Sequence, residues 1–375
     1  MSSNVPDSSF TLSVPPGCKL TFNKAEPGSE SFDFTLSTSQ FLHANQLLDL
    51  GRQCDAANND DTMKEYTIVA LHGQARTFTL PSLDPSAGKY RLVYRIAYRN
   101  VFQLCLDLNS KYLQGPKIRS AICIAAERQM PDEPPTLLEK LEPFLVTWDQ
   151  QWRVSQLKKT ITEFLEENAA GMRRVDKVIG IGLGRPGTHS LELKNGILTR
   201  DGDEHSYFQH LAMNHIVETL RRVQDNAAIK TYVQEPAYSL ASKAILHRSF
   251  PDIVTLDDPK AFCEIDRHTI VVQCHMPFDA AEIALAMAGD DGLAGLICAP
   301  IAENHQATVA GTQISDHKDR SNRDIWYQLQ RLCSTRKWQW KEQCAVQQLP
   351  GEDGWFGGKV GDDPGSAFYV RMDGP

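Results

Sequence analysis

The sequence predicts an α/β fold for the second half of the chain. Apolar strand-like segments and helical segments alternate from residue 172 to 300, which favours parallel strands joined by right-handed crossovers. The segment 175–187 (VDKVIGIGLGRPG) is a short apolar run followed by a loop, with glycines at 180, 182, 184 and 187. Such a run is typical of a buried parallel strand leaving its sheet at the carboxyl end. Together these observations predict a Rossmann-like parallel sheet, in strand order 3-2-1-4-5, with helices on both faces.

The elements of this region follow from their apolar periodicity. An amphipathic helix is predicted to present one apolar face and to end at 168–171, and its apolar residues are Val154, Leu157, Ile161, Phe164 and Leu165. The strands are predicted at 175–182, 228–234, 252–256, 268–274 and 293–300. The helices between them are predicted at about 205–224, 238–248 and 279–288.

The rest of the chain divides by composition. Residues 1–30 are rich in Ser, Pro and Gly and are expected to form a flexible arm. Residues 31–150 alternate in the manner of half-buried strands and predict a β-rich N-terminal region. The Rossmann-type domain is assigned to 151–305, and 306–375 is a C-terminal extension with a helix near 322–334 and a possible strand at 338–346.

Composition and charge indicate an ordinary cytoplasmic globular protein. The chain is 41% hydrophobic and 23% charged, with a formal net charge of -8, so any polyanion has to meet a local basic patch. The first ten residues lack the pattern of a signal peptide, and no apolar run reaches membrane-spanning length. The nine cysteines form no C-x-x-C pair, which favours reduced core thiols.

The glycine loop has three interpretations. Gly182, Gly184 and Gly187 fit the spacing of a dinucleotide fingerprint, but some 17 mostly polar residues intervene before the next helix. The second strand also ends too far along the chain for the expected acidic residue, so a nicotinamide or flavin enzyme is disfavoured. Two interpretations of the loop remain: a tight turn without a ligand, and a loop that contacts a ligand other than a dinucleotide.

Four motifs in this order resemble the sensitivity-to-red-light-reduced (SRR-like) family. They are VIGIGLGRPG at 178–187, Gln209 and its neighbours heading a helix, YVQEPAYS at 232–239, and HTIVVQCHMPF at 268–278. The sequence departs from the family pattern with Glu235-Pro236 in place of the commoner Asp-Pro, and with His275-Met-Pro277 in place of Pro-His. The resemblance spans roughly residues 170–300.

This resemblance implies two kinds of function. The family includes regulators linked to light signalling and tetrapyrrole metabolism, and the long extensions look more like a fungal group of arginine-containing cyclodipeptide synthases. Those enzymes of secondary metabolism take amino acids from two aminoacyl-tRNAs and close a diketopiperazine. We therefore expect an aminoacyltransferase whose partners are arginyl-tRNA and one other aminoacyl-tRNA, with a non-catalytic SRR-like regulator that binds a small ligand or partner as the alternative. No cofactor is expected, because the activated ester supplies the driving force.

The expected catalytic residues follow the ends of two strands. Glu235 is placed to pair with an arginine guanidinium, and Tyr238 and Ser239 follow within one turn as hydroxyls. His275 ends the fourth strand and is a candidate base at neutral pH. The structural alternatives are a helix cap for Glu235, core packing for Tyr238 and a satisfied structural histidine at 275.

Other residues are assigned to binding. The substrate is expected to contact Gly180, Gly182, Gly184, Gln209 and Pro236. A basic track with interleaved tryptophans is expected to bind tRNA, through Arg153, Lys158, Lys159, Arg336, Lys337 and Lys341. No metal is expected, because His205, His210 and His215 recur every five residues and cannot share one helix face.

Overall fold

The computed structural model describes fifteen segments of the chain. These are residues 12–13, 19–20, 44–60, 62–69, 75–83, 92–98, 122–128, 136–186, 193–194, 197–198, 203–274, 280–289, 291–301, 340–350 and 365–373. The predicted helix near 322–334 lies outside them.

The N-terminal part combines short strands with helices. In chain order its elements are β1 (Leu12–Ser13), β2 (Lys19–Leu20), α1 (Ala44–Asn59), β3 (Glu65–Val69), β4 (Ala75–Thr79), β5 (Leu92–Tyr98), β6 (Ile122–Arg128) and α2 (Thr136–Arg153). Strands β1 and β2, β3 and β4, and β5 and β6 form three antiparallel pairs. The region therefore contains helix as well as strand. Helix α1 was not predicted from the sequence. This helix buries Leu47, Leu50 and Cys54 at helical spacing within an Asn- and Asp-rich segment.

The second part contains the alternating elements. They are α3 (Gln156–Asn168), β7 (Lys177–Ile181), β8 (Leu193–Lys194), β9 (Ile197–Leu198), α4 (Asp203–Val223), β10 (Lys230–Gln234), α5 (Leu240–Ser249), β11 (Ile253–Thr255), α6 (Lys260–Cys263), β12 (Thr269–Gln273), α7 (Ala280–Ala288), β13 (Gly295–Cys298), β14 (Cys344–Gln348) and β15 (Ala367–Arg371). The strands and long helices predicted between 172 and 300 are confirmed within a few residues at each end.

One seven-stranded sheet organises this part. Its order is β11-β10-β7-β12-β13-β15-β14, and β7 is the middle one of the first five strands. Strands β11, β10, β7, β12 and β13 are parallel to one another, whereas β15 pairs antiparallel with both β13 and β14. A mainly parallel α/β sheet is therefore confirmed, but the whole sheet is mixed. Strand β15 was not predicted, and β14 only overlaps the end of the strand expected at 338–346.

Both faces of the sheet are covered. Along β7, Val178 packs with residues of α2 to α5, whereas Ile179 and Ile181 pack with residues of α1, the N-terminal hairpins, α6 and α7. This alternation is what a strand buried on both faces requires. The N-terminal region therefore supplies part of one covering layer.

The helix predicted across Val154 is two helices. The chain leaves helical geometry at 154–155, and Ser155 caps α3 by accepting a hydrogen bond from the Lys158 amide (3.2 Å). Val154 is 85% exposed, so it does not belong to the apolar face to which the sequence assigned it. A capping serine satisfies an otherwise unpaired amide of the first turn, which explains the break.

Gly180 allows α4 and the glycine loop to approach β7 closely. A Cβ atom at this position would lie 2.5 Å from Leu183 Cδ1 and 2.7 Å from Met213 Sδ. Packing against these side chains therefore accounts for the glycine, and its position gives no support to the expected contact with substrate.

We expect Gly180→Ala to lower the free energy of unfolding by about 1–3 kcal/mol, because the added methyl group overpacks a filled interior. Urea denaturation measures the change. The matched control is Gly171→Ala, whose Cβ would meet only the flexible end of Met372 and should cost less than about 0.5 kcal/mol. Equal losses in the two variants would contradict this account of Gly180.

Candidate functional site

The glycine loop lies at the carboxyl edge of the sheet, between β7 and β10. Gly182 N donates to the Gln234 carbonyl oxygen (3.1 Å), which ties the start of the loop to the end of β10. Leu183 is buried, and Gly184 adopts φ +72°, a conformation that favours glycine. Residue 187 lies outside the described segments. The loop therefore turns back over the sheet edge, as expected of a ligand loop in an open α/β sheet.

Glu235 contacts this loop. Its Oε2 accepts a hydrogen bond from Gly184 N (3.3 Å), and its Oε1 accepts one from Ala237 N (2.9 Å). The side chain is half-buried, and Pro236 beside it is exposed. The proximity of Glu235 and the glycine loop, which was expected from the sequence, is present in the structure. A carboxylate has about four acceptor positions, so two remain for another donor.

A tyrosine–histidine pair lies beside Glu235. The Tyr238 hydroxyl and His210 Nε2 are 2.6 Å apart, and His210 Nδ1 lies 2.7 Å from the Ser206 carbonyl oxygen. A carbonyl only accepts, so Nδ1 carries the proton and Nε2 accepts from the Tyr238 hydroxyl. The Ser206 hydroxyl in turn donates to the Leu183 carbonyl oxygen (2.8 Å), which links the pair to the glycine loop.

The pKa values of the pair keep both groups neutral. Burial lowers the pKa of His210 to about 4. Burial, with the nearby Glu235 charge, raises the pKa of Tyr238 well above its ordinary value. The proton therefore stays on the tyrosine oxygen at neutral pH. The hydroxyl is suited to accept a hydrogen bond from a bound amine and poorly suited to attack as a nucleophile.

Ser239, predicted as a catalytic hydroxyl, has a structural role in the fold. It is buried and caps α5, because its Oγ accepts a hydrogen bond from Ser242 N (3.1 Å) and lies 3.1 Å from Ser242 Oγ. The first turn of a helix has free amide groups that such a side chain satisfies. Gln209 is buried next to His210 on the second turn of α4, close to the loop. His275, the other expected base, lies outside the described residues.

Asp258, which was not predicted as a site residue, lies in the loop after β11. Its Oδ1 accepts hydrogen bonds from the Tyr98 hydroxyl (2.5 Å) and Gln234 Nε2 (2.8 Å). The signal was present, because Asp258-Pro259 repeats at the end of β11 the acid–proline pair that Glu235-Pro236 forms at the end of β10.

The basic residues expected to bind tRNA divide into three groups. Arg153, Lys158 and Lys159 line one groove of about 500 Å³ at the α2–α3 junction. Lys341 donates to the Ile301 carbonyl oxygen (2.7 Å) after β13. Arg336 and Lys337 lie outside the described residues. Trp340 is buried, with its indole N–H donating to the Leu293 carbonyl oxygen (3.1 Å), so it offers no surface for base stacking.

The described segments show neither a cluster of possible metal ligands nor a helix able to span a membrane. Among these residues, no group of three or more His, Cys, Asp and Glu side chains is placed to hold a metal ion. Of the helices described, none combines the length and apolar character that a membrane crossing needs.

The buried His210 predicts a pH dependence of stability. Unfolded histidine takes up a proton near pH 6.5, but folded His210 does so only near pH 4. The unfolded state therefore gains protons first, and the free energy of unfolding falls as pH drops from 6.5 to 4. In His210→Gln this fall should be smaller by up to about 3 kcal/mol.

Urea denaturation between pH 7 and pH 4 measures this difference. His247→Gln removes an exposed histidine from α5 and serves as the control, with a pH dependence like that of the unsubstituted protein. Parallel pH curves for all three proteins would show that His210 is not buried as a neutral group.

Comparison with known proteins assigns the chain to a family. A family model described as the SRR1 domain matches residues 155–350, which is 196 of the 375 residues. The match includes the glycine loop, Glu235, the Tyr238–His210 pair and Asp258. Comparison with curated proteins and with solved structures gives no match. The chain belongs to the SRR1 domain family.

Proposed function

We propose that this protein is a tRNA-dependent aminoacyltransferase that joins arginine, delivered by arginyl-tRNA, to a second tRNA-borne amino acid in a cyclic dipeptide. The observation that carries the proposal is the placement of the Glu235 carboxylate on the Gly184 amide, beside the Tyr238 hydroxyl. An acidic group, a glycine turn and a neutral hydroxyl meet there at the carboxyl edge of the parallel strands.

Arginine recognition is assigned to Glu235. Two backbone amides fix its carboxylate and leave acceptor positions for a guanidinium, whose planar fork matches a carboxylate. Pro236 and Leu240 are exposed apolar side chains close by in sequence, and Leu240 is 65% exposed. Such a surface suits the methylene stem of an arginine side chain.

The chemical step needs little from the protein. The ester that links an amino acid to tRNA is already activated, so amide formation requires a held amine, an oriented carbonyl group and a proton acceptor. Tyr238 keeps its proton on its oxygen by donating to His210 and can accept a hydrogen bond from the amine. We therefore assign Tyr238 to holding the amine, and the route we favour has no acyl-tyrosine intermediate.

The tRNA is assigned to the basic groove of Arg153, Lys158 and Lys159. This groove lies on α2 and α3, which pack against α4. Helix α4 carries His210, and its Ser206 contacts the glycine loop. Glu163, which forms an ion pair with Lys159 (3.7 Å), offsets part of the positive charge. Arg153 and Lys158 are therefore the residues on which we place most of the phosphate contact.

A non-catalytic SRR-like regulator that binds a small ligand or partner is the second candidate. The observation that favours it is that both Glu235 oxygens accept backbone amides and that Ser239 caps a helix. A carboxylate with a purely structural task makes the same contacts. The two candidates differ in whether the protein releases a product.

Glu235→Gln should lower the yield of cyclic dipeptides that contain arginine by at least about tenfold. The amide keeps the size of the side chain but loses the charge, and a hydrogen bond to a charged group is worth about 1.5–3 kcal/mol. Mass spectrometry of the medium of a bacterial host that expresses the protein measures these products.

Glu218→Gln is the matched control, because Glu218 is an exposed carboxylate on α4 that contacts only Asn214 among the hydrogen bonds described. Its product yield should equal that of the unsubstituted protein. Folded protein without any such product would favour the regulator, and full yield from Glu235→Gln would remove Glu235 from arginine recognition.

Binding to aminoacylated tRNA should weaken steeply with salt. Because each neutralised phosphate releases counterions, the double variant Arg153→Ala/Lys158→Ala should reduce the slope of log affinity against log salt by roughly 1.5. Fluorescence anisotropy with labelled tRNA measures the slope. Arg174→Ala is the control, since Arg174 is an exposed residue before the amino end of β7 that pairs with Asp176. Salt-independent binding would rule out the groove.

A further inference from the structure

Asp258 is held at the site edge by residues from two parts of the chain. Tyr98, the last residue of β5, and Gln234, the last residue of β10, both donate to its Oδ1. The Gln234 side-chain oxygen accepts from Ala261 N (2.8 Å), which fixes the direction of the Gln234 amide group. Within the described residues, Oδ2 of Asp258 makes no hydrogen bond. One oxygen is therefore anchored, and the other remains to exchange a proton.

Tyr98 lies outside the region that matches the SRR1 domain. Its ring packs against Phe262 (centroids 4.9 Å apart), so the β5–β6 pair reaches α6 and the loop that follows β11. Several titratable and charged side chains interact electrostatically with the Asp258 carboxyl group. They are Tyr98, Arg95, Glu127, Glu235, Cys54 and Cys263.

We propose that Asp258 is a proton-exchanging catalytic residue of this site, positioned by Tyr98 from the N-terminal hairpin. The inference rests on the proposed function and deepens it, because it assigns the acceptor for the proton that the attacking amine loses. Its geometric basis is the doubly anchored carboxyl group at the sheet edge that also carries Glu235 and Tyr238.

In the proposed step, Asp258 takes up one proton and later returns it. The amine nitrogen attacks the ester carbonyl carbon, a C–N bond forms, and one N–H proton passes to the Asp258 carboxylate. The ester C–O bond then breaks, and the carboxylic acid returns the proton to the leaving oxygen. The carboxyl group ends as it began, and the reaction needs no oxidant, reductant or further reactant.

The acidity of Asp258 suits this exchange. Burial raises its pKa to about 7, with Glu127 and Glu235 acting in the same direction, while the hydrogen bond from Tyr98 and the charge of Arg95 oppose the rise. A general base works best when its pKa lies near the working pH. Loss of the Tyr98 hydroxyl should therefore move the titration of Asp258 to higher pH.

The first measurement is independent of product. Carbon-13 NMR of the full chain labelled at aspartate carboxyl groups should show one carboxyl that titrates near pH 7, absent in Asp258→Asn and shifted upward in Tyr98→Phe. Asp257→Asn, which removes the exposed neighbouring carboxylate, should leave this signal unchanged. Titration of Asp258 below pH 5 would overturn the proposal.

The second measurement is the rate of product formation from aminoacylated tRNAs between pH 5.5 and 8.5. The rate should rise with pH to a plateau, with its midpoint near 7, and the midpoint should move upward in Tyr98→Phe. Asp258→Asn should lower the plateau at least about 100-fold, the lower end of what a general base contributes. Asp257→Asn should behave like the unsubstituted protein.

The outcomes separate the two proposals. If the unsubstituted protein forms no product, the proposed function fails, and the catalytic role of Asp258 fails with it. If it forms product and Asp258→Asn does so at the same rate, only the present inference fails. Should Asp258→Asn not fold, Tyr98→Phe decides, because an unchanged midpoint in that variant overturns the positioning role of Tyr98.

Discussion

The structure depends on the burial of β7, the middle one of the five parallel strands. Parallel pairing with β10 on one side and β12 on the other gives all three strands the same direction, so their following loops emerge at one edge. Glu235 and the glycine loop meet for this reason, although 51 residues separate Gly184 from Glu235. A carboxylate bound to a backbone amide at this edge follows from topology as much as from local sequence.

Each covering layer places different chemistry at that edge. On one face, α4 carries Ser206 and His210, which hold the Leu183 carbonyl oxygen and the Tyr238 hydroxyl. On the other face, the N-terminal hairpin carries Tyr98 to Asp258. The edge therefore combines a neutral histidine–tyrosine pair with a carboxyl group whose pKa burial raises to about 7.

The sequence predicted the parts of the fold that local pattern controls. Apolar runs such as KVIGI and TIVVQ reveal buried strands, and Glu235 could be placed because a strand end is visible in the chain. The partnership of His210 with Tyr238 could not be predicted, since it joins α4 to the loop before α5, between residues 28 apart. The cap that Ser239 forms on α5 was not predicted, because a helix-capping serine and a catalytic serine look alike in sequence. The acid–proline pair of Asp258 is visible in the sequence, but its contact with Tyr98, 160 residues away, is not.

Strand β15 carries a consequence for how the polypeptide assembles. It occupies an interior position between β13 and β14, yet almost seventy residues of chain separate it from β13. During synthesis the outer edge of β13 stays unpaired until β15 has been made. Until then its backbone amides and carbonyls can pair with a strand of another chain. Ribosome-bound chains that already contain the glycine loop and both acid–proline pairs are thus still open along one side of the sheet.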